Sequence, residues 1–550
     1  MKTLCASLFA VTLVASAALA APAPDVGSDP QRAEGKKLYD VNCSQCHGDK
    51  GDGQGVAAPH LLPKPRDFTS GKFKIRTTPS GALPTTQDLK NIIRAGMPYT
   101  AMPAWPQFND AQLTSLAYYV KSFNADFANA ERQPEAIKIP SPPSLSSDSI
   151  EKGKKQFADL GCARCHGEVG RTDGISAPTL TDDWGHSIRP ADLTKRWTFR
   201  GGPKREDIFR AFSTGLNGTP MPSFADALSE EQRWDLANYV YSLSPSDTPN
   251  YATLLIAAKV SDPIDLADTS KLFEKSETAY FPLVGQIIQP GREFHPPATG
   301  IQARAVYNEE ELAVELVWND MRAETSGKAA PDIAVPAAED EAEAAAAKPA
   351  AESGGWGEAE EAAPSAKKSE DVWGEEAGGG AAAAPASEFA DAVALQFPVV
   401  RPTTIRKPYV LFGDKGNPVD IWFTDLAKKE TRLYIGQGSD SLESQGPREL
   451  KSVATFDKGE WRVVVKRKLR SQGETTFEPG GFMPVAFSVW DGGSRERGNK
   501  RALTNWWTIY LSPGDKPSAV GEMAKWAFLA FVLELAFIVW ARRRAKGEPA

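Results

Sequence analysis

One five-residue pattern, Cys-x-x-Cys-His, occurs twice in this chain of 550 residues and constrains its fold more than any other feature. The first copy occupies residues 43–47 and the second occupies residues 162–166. A Met-Pro dipeptide follows each copy at the same distance, because Met102 and Met221 each lie 59 residues after the first cysteine of their copy. The same motif at the same spacing indicates that one structural unit is present twice.

The spacing within the pattern is that of covalent haem attachment. Two thiols three residues apart can add to the two vinyl groups of one porphyrin, and the adjacent histidine then meets the iron. A thioether opposite that imidazole raises the iron potential and fills the last coordination position, which favours electron transfer. We therefore predict two haem c cofactors. The predicted attachment residues are Cys43, Cys46, Cys162 and Cys165, and the predicted axial ligands are His47, Met102, His166 and Met221.

The register between the two copies continues beyond the motifs. A Pro-x-Asp-x-Thr pattern at residues 65–69 recurs at residues 190–194. Asp88-Leu89 and Gly96 have counterparts 119 residues later in Asp207-Ile208 and Gly215. Met97 aligns with Leu216 rather than with a second methionine, so a ligand role is better assigned to the Met-Pro residues. By the same comparison His60 and His186 lack histidine counterparts and are interpreted as surface or packing residues.

If only the cysteines are considered, a zinc site is the main alternative to haem attachment. Two Cys-x-x-Cys pairs could join as one four-cysteine zinc centre, and a single pair could be a redox disulfide. Those readings leave both histidines and both methionines without a role, and the haem interpretation uses all of them.

The two ends of the chain predict export and a membrane anchor. Residues 1–20 show the charged, apolar and small-residue order of a secretory signal, and Cys5 lies within it. Residues 523–541 are long and apolar enough for one transmembrane helix, although Glu534 interrupts them. The basic tail at residues 542–550 favours a cytoplasmic C-terminus. We expect a single-pass protein of the bacterial cytoplasmic membrane with its bulk in the periplasm.

Length and pattern together predict a multidomain protein. Two small all-α cytochrome c domains are expected at residues 29–128 and 146–246, and short β-branched or aromatic stretches predict a β-sandwich at residues 251–515. Residues 325–387 hold thirteen acidic residues against four lysines in an Ala, Glu, Gly and Pro background, which predicts a disordered insert. We expect no nucleic-acid partner for a chain whose net charge is −8.

Residues 30–245 resemble tandem class I c-type cytochromes, because the attachment motif, a following proline, Met-Pro and a closing helix occur in family order. The resemblance implies that the first and last helices of each domain cross, with the haem in the cleft between them. It also implies that backbone near Pro59 and Pro178 accepts a hydrogen bond from the second ring nitrogen of His47 and His166.

Residues 251–512, without the insert, resemble the haem-binding domain of ethylbenzene dehydrogenase gamma subunits. The residues that carry the resemblance are Leu283-Val284-Gly285-Gln286, Trp318-Asn319-Asp320, Asp391 to Pro398, Gly413-Asp414 and Phe487 to Gly492. That family implies a b-type haem between methionine and lysine, in the electron outlet of extracytoplasmic molybdenum enzymes. This chain has Phe412 where the methionine is expected, and either Lys500 or Arg501 aligns with the lysine. Lys500 is thus the candidate ligand of a third haem in residues 251–515, and a sandwich without haem is the alternative.

The combined interpretation is a membrane-anchored dihaem electron-transfer protein of a respiratory chain, not itself an enzyme. Its expected partners are redox proteins: a molybdoenzyme with an iron–sulfur subunit, and a soluble cytochrome or membrane oxidase. Two alternatives remain open at this stage. A dihaem peroxidase or sulfur-compound oxidase would need an iron with a displaceable ligand, and a redox-sensing module would use the sandwich to bind a ligand.

Overall fold

The computed structural model describes residues 23–245, 248–337, 339, 387–403, 406–471, 475–514, 519–545 and 547. The predicted signal peptide, with Cys5, lies outside these residues, as do most of the predicted acidic insert and part of the predicted tail. One compact unit contains the helical repeats, and a second contains the strands and the last helix. The predicted multidomain class is confirmed: helical domains come first, then a large mixed sheet region and a C-terminal apolar helix.

Each helical repeat contains four α-helices in the same order. The last helix of each repeat begins with a capping box, in which Asn109 pairs with Gln112 and Ser229 pairs with Gln232, as their spacing predicts. The first repeat contains α1 (Asp29–Asn42), α2 (Ser44–His47), α3 (Thr86–Ala95) and α4 (Asp110–Lys121), and the second contains α5 (Ser147–Asp159), α6 (Ala163–His166), α7 (Arg205–Thr214) and α8 (Glu230–Ser242).

The first and last helices of each repeat cross at a glycine. A side chain at Gly35 of α1 would run into the backbone carbonyl of Ser115 in α4, and one at Gly153 of α5 would run into that of Asp235 in α8. Because glycine has no Cβ, the two helix backbones can approach this closely. The crossing implied by the cytochrome resemblance is therefore present in both repeats.

Fourteen strands lie in the described part of residues 254–511. Their bounds are β1 (Leu254–Lys259), β2 (Ala279–Pro282), β3 (Val284–Gly285), β4 (Gly300–Tyr307), β5 (Glu311–Asn319), β6 (Ala392–Pro398), β7 (Val419–Asp425), β8 (Glu430–Gly436), β9 (Leu442–Gly446), β10 (Lys451–Asp457), β11 (Glu460–Lys468), β12 (Phe482–Trp490), β13 (Ala502–Leu503) and β14 (Trp507–Leu511). The main order is β10-β11-β5-β4-β1-β14-β12-β6-β7-β8-β9. Most neighbours are antiparallel, but β1 runs parallel to both β4 and β14.

Strand β12 belongs to two sheets. Its first half pairs with β14, from Phe482 to Val485, and its second half pairs with β6, from Ala486 to Trp490. The buried faces of the two sheets share one hydrophobic core, which includes residues of β4, β5 and β11 on one side and of β6, β7 and β12 on the other. The arrangement is that of the predicted sandwich.

Backbone pairing closes the base of the predicted insert. Lys328 donates its N–H to the carbonyl of Glu388 at 2.9 Å, and Ala390 donates to the carbonyl of Lys328 at 3.1 Å. The first residues after position 325 are thus paired with the chain that returns into β6, so the ordered sandwich extends further into this segment than the composition predicted.

Buried acidic side chains tie together loops at one end of the sandwich. Asp391 is fully buried and accepts hydrogen bonds from the N–H groups of Glu324 and Gly492 and from the indole of Trp461, at 2.8–3.0 Å. Burial, with the nearby carboxylate of Asp491, raises its pKa well above the ordinary value. This carboxyl group is therefore a structural link between three chain segments.

The last helix, α9 (Ala519–Ala545), is long and apolar enough to cross a membrane. At about 1.5 Å rise per residue, its 27 residues extend over roughly 40 Å, which exceeds the hydrocarbon core of a bilayer. The last turn carries Arg542, Arg543 and Arg544. These features fit the transmembrane segment predicted at residues 523–541.

Candidate haem sites

The two attachment motifs have the same local structure. Cys43 is the N-cap of α2 and Cys162 is the N-cap of α6, so the second cysteine and the histidine of each motif lie in the following helical turn. The N–H of His47 donates to the carbonyl of Cys43 at 2.9 Å, and His166 does the same to Cys162 at 3.0 Å. One helical turn thus brings two thiols and one imidazole together in each repeat.

The four cysteines that the structure describes are free thiols. Burial raises the pKa of Cys43 to about 12 and that of Cys162 to about 11, and it also raises the pKa of Cys46 and Cys165. All four are therefore protonated at neutral pH. They retain the hydrogen that a thiol contributes when it adds across a vinyl group.

A backbone carbonyl orients each imidazole. Nδ1 of His47 lies 3.0 Å from the carbonyl oxygen of Arg66, and Nδ1 of His166 lies 2.9 Å from that of Ala191. A carbonyl can only accept a hydrogen bond, so Nδ1 must carry the proton and Nε2 keeps its lone pair for a metal. Burial also lowers the pKa of both histidines, which favours the neutral ring.

The expectation that backbone near Pro59 and Pro178 would accept these hydrogen bonds is wrong. The acceptors lie further along the chain, in the repeated Pro-x-Asp-x-Thr pattern. Oδ1 of Asp67 accepts from the N–H and hydroxyl of Thr69 at 2.8 and 2.6 Å, and Asp192 holds Thr194 in the same way at 3.0 and 2.6 Å. This Asx turn fixes the backbone around the aspartate. The carbonyl that faces the imidazole belongs to the residue just before it, Arg66 or Ala191. The repetition of this pattern is the sequence signal that could have pointed to the acceptor.

The two methionines lie in loops of identical hydrogen bonding, which we call the Met102 loop (residues 97–102) and the Met221 loop (residues 216–221). In the first, the N–H of Met97 donates to the carbonyl of Met102 at 3.1 Å, and Leu216 donates to Met221 at the same distance in the second. A threonine two residues before each methionine accepts from its N–H, at 3.1 Å for Thr100. Met97 thus has a backbone role in closing the loop, and that role needs no particular side chain.

The surroundings of the predicted ligands differ between the repeats. The ring of His47 stacks on Phe68, with centroids 4.5 Å apart and planes at 20°. Leu193 occupies the matching position after the Asx turn of the second repeat. In that repeat Cys162 and Met221 both pack against the helical core. The two irons would therefore have different neighbours despite the same set of donors.

The donor set of each repeat fits haem c. It supplies two thiols in one helical turn, a neutral imidazole whose Nε2 is the free nitrogen, and a thioether in a loop held by backbone hydrogen bonds. These are the groups that covalent attachment and His/Met ligation need.

At the positions considered for the ligands of a b-type haem, two buried protein side chains contact each other. Arg501 is fully buried, and its guanidinium carbon lies 3.8 Å from the centroid of the Phe412 ring, so the two positions that align with the family ligands stack on each other. Burial lowers the pKa of Arg501 to about 9, and a protonated guanidinium does not ligate iron. Lys500 lies at a backbone bridge with Arg497, at 2.8 Å from its N–H to the Arg497 carbonyl. The described residues give no support to the predicted third haem.

Comparison with protein families identifies both repeats. Residues 30–120 match the model of cytochrome c oxidase, cbb3-type, subunit III, and residues 150–244 match the model of cytochrome c. These two segments are cytochrome c-type domains, and haem c is the cofactor that such domains bind. Together they cover the predicted attachment residues and both methionines.

Comparison with individual proteins gives partial matches. A putative respiratory nitrate reductase haem subunit of Haloferax mediterranei is 32% identical over 130 residues, 23% of this chain and 45% of that protein. The gamma subunit of dimethylsulfide dehydrogenase from Rhodovulum sulfidophilum is 29% identical over 139 residues, 24% of this chain and 51% of that protein. The chain thus spans about half the length of these curated relatives. A chain in the structure of a reducing HAO-like protein complex of Kuenenia stuttgartiensis is 42% identical, with 41% of this chain and all of that chain covered at a TM-score of 0.38.

Proposed function

We propose that this protein is a membrane-anchored dihaem cytochrome c that transfers electrons outside the cytoplasmic membrane. The observation that carries the proposal is the duplication of a complete ligand set: attachment turn, imidazole oriented by a carbonyl, and closed methionine loop. Haem c supplies an iron that cycles between two oxidation states in each repeat. His/Met ligation at both irons supports outer-sphere electron transfer, because such an iron has no open position for a substrate.

The residues of the chain set the potential and rigidity of each site. The Nδ1–H of His47 donates to a carbonyl and makes the opposite nitrogen more basic, and the same holds for His166. The backbone hydrogen bond that closes each methionine loop fixes the backbone of the methionine that would hold the iron. The protein thus binds, orients and shields, and it forms or breaks no bond of a substrate.

We assign the chain, within this proposal, as the gamma-like electron-transfer subunit or partner of an extracytoplasmic molybdoenzyme. Two features support the assignment: the resemblance of the sandwich to gamma subunits, and the partial match to a dimethylsulfide dehydrogenase gamma subunit. The acceptor would be a soluble cytochrome or a membrane oxidase. Purification of the tagged full-length chain from detergent-solubilised membranes should recover a subunit that contains molybdenum. Recovery of a quinol-oxidising complex without molybdenum would contradict this assignment and leave the cytochrome function intact.

Replacement of the methionines tests the ligand assignment. Met102→Ala and Met221→Ala should each lower one of two midpoint potentials in a redox titration and leave both haems covalently attached, because a thioether ligand favours reduced iron and its loss favours oxidised iron. The matched control is Met97→Leu, which places in the first repeat the residue that the second repeat has at Leu216. That variant should retain both wild-type potentials.

The opposite pattern would overturn the assignment. If Met97→Leu lowers a potential and Met102→Ala does not, Met97 is the ligand. A high-spin haem that binds peroxide readily in the wild-type protein would instead indicate the dihaem enzyme class.

A further inference from the structure

Arg76 of the first repeat is buried against the second repeat. Its side chain is 1% exposed and donates hydrogen bonds to the carbonyls of Thr214 at 2.6 Å and Gly215 at 3.3 Å. Within its own repeat it donates to the carbonyls of Phe73 and Pro79 at 3.1–3.3 Å. The guanidinium therefore joins the two repeats through carbonyl oxygens on both sides.

The contact lies where helix α7 ends and the Met221 loop begins. The last carbonyls of a helix lack partners within it, and the helix dipole makes this end negative. A buried positive charge is costly unless hydrogen bonds and opposite charge compensate for it. Burial lowers the pKa of Arg76 to about 10, so it remains charged at neutral pH, and it donates to the Thr214 and Gly215 carbonyls at the end of a helix whose C-cap is Gly215.

A second contact braces the same loop. The guanidinium carbon of Arg66 lies 4.5 Å from the ring centroid of Trp184, so a residue of the first repeat stacks on one of the second. The indole in turn covers Gly218 in the Met221 loop, where a Cβ would lie 2.7 Å from the ring. The N–H of Asp183 also donates to the carbonyl of Gly218 at 3.3 Å. Arg66 is the residue whose carbonyl orients His47, so one segment serves both haem sites.

A third contact reaches the middle of the loop. The N–H of Gly81, in the first repeat, donates to Oδ1 of Asn217 at 3.2 Å. The end of α7 and Asn217 are thus bonded directly from the first repeat, and Gly218 is reached from it through Trp184. Both methionine loops are closed by the same hydrogen bonds among their own residues, and the contacts described above are additional to those bonds at the Met221 loop.

From these contacts we infer that the first repeat positions the axial methionine of the second haem, with Arg76 and the Arg66–Trp184 pair as positioning residues. The inference rests on the proposed dihaem function. It makes the second iron dependent on the first domain for its sixth ligand. Loosening of the seam between the repeats would release Met221 and change the potential and ligand access of that iron alone.

The test uses the full-length protein with both haems and the variant Arg76→Gln. Loss of a charged hydrogen-bond donor should let the Met221 loop open more often, so the second midpoint potential should fall. Cyanide, which competes with the thioether, should bind the second haem roughly tenfold more tightly. The Met102 haem is an internal reference and should keep its potential and its cyanide affinity.

Two further variants complete the design. Trp184→Ala removes a half-buried ring rather than a buried charge, and it should also lower the midpoint potential of the second haem and raise its cyanide affinity. This variant tests the inference if the Arg76→Gln protein does not accumulate. Lys154→Gln removes an exposed cation of α5 and leaves Trp184, Asp183 and the loop unchanged. It is the control for charge loss, and both haems should keep their cyanide affinity.

Unchanged potentials and cyanide affinities in Arg76→Gln and Trp184→Ala would overturn the inference, as would equal shifts at both haems. A wild-type pyridine haemochrome spectrum that shows no haem c would instead overturn the proposed function, so the two failures are distinguishable.

Discussion

At the scale of single residues, the hydrogen bond from each predicted axial histidine would determine how the imidazole meets an iron. A donor bond from Nδ1 to a carbonyl fixes the ring plane and increases the electron density at Nε2. In both repeats that carbonyl is held by an Asx turn, in which Asp67 or Asp192 binds the threonine two residues later. We therefore propose that the aspartates act on the iron indirectly, through the backbone that they fix.

We predict that Asp67→Ala raises the midpoint potential of the first haem and leaves the second unchanged. Without the turn, the Arg66 carbonyl is held less firmly, and a weaker hydrogen bond makes the imidazole a poorer donor to oxidised iron. The lost hydrogen bonds should also lower the free energy of unfolding by about 1 kcal/mol. Potentiometric titration and urea unfolding measure the two effects.

Asp67→Asn is the matched control, because an asparagine side chain can close the same turn. Its first potential should stay close to that of the wild type. If Asp67→Ala changed only the midpoint potential of the second haem, Asp67 would not have the proposed role of fixing the Arg66 carbonyl.

The sequence contained this turn but did not reveal its role. The donors themselves were predictable, because covalent attachment fixes the spacing of Cys43, Cys46 and His47. The acceptor was not, because Arg66 lies 19 residues after His47 and Ala191 lies 25 residues after His166, and only the folded loop brings each pair together. The contacts of Arg76 were hidden for the same reason.

At the scale of helices and strands, the glycine crossings determine how closely the terminal helices of each repeat pack. Gly153 of α5 lies directly against the backbone of α8 at Asp235. Any side chain there must push the helices apart.

We predict that Gly153→Ala lowers the free energy of unfolding by about 1–3 kcal/mol, because overpacking at a helix crossing has a cost of that order. Urea unfolding of the haem-loaded protein, followed at the haem absorption, measures the change. Lys154→Ala, one residue later and exposed, is the control and should change stability by less than about 0.5 kcal/mol. Equal effects of the two variants would show that α5 and α8 do not depend on this contact.

Strands were easier to predict than their pairing. Alternating β-branched and aromatic residues predicted strands that the structure contains as β5, β11 and β12. The parallel pairing of β1 with β14 joins residues about 250 positions apart, and local pattern carries no information on such a partner. The stacking of Arg501 on Phe412 was equally impossible to predict from local sequence, although both residues differ from the ligands expected in the family pattern.

At the scale of the whole molecule, α9 gives the chain one segment that fits a bilayer. Its apolar length and terminal arginines fit a membrane anchor, and we propose that its basic end lies in the cytoplasm. We predict that a stop codon after Gly514 converts the protein from a detergent-requiring form to a water-soluble one. Both haems should remain attached, because the cytochrome domains precede the sandwich.

Fractionation of cells and haem staining of the two fractions test this prediction. A truncated chain that still sediments with membranes at high salt would show that another segment holds it there. A soluble product without haem c would show that anchoring is needed for maturation.

The shared strand β12 couples the unfolding of the two sheets. Phe482 to Val485 complete the hydrogen bonding of β14 in one sheet, and Ala486 to Trp490 complete that of β6 in the other, so loss of this one strand would expose an edge in both sheets. We therefore expect the sandwich to unfold in one cooperative step, without a partly unfolded form whose exposed strand edge could pair with another chain.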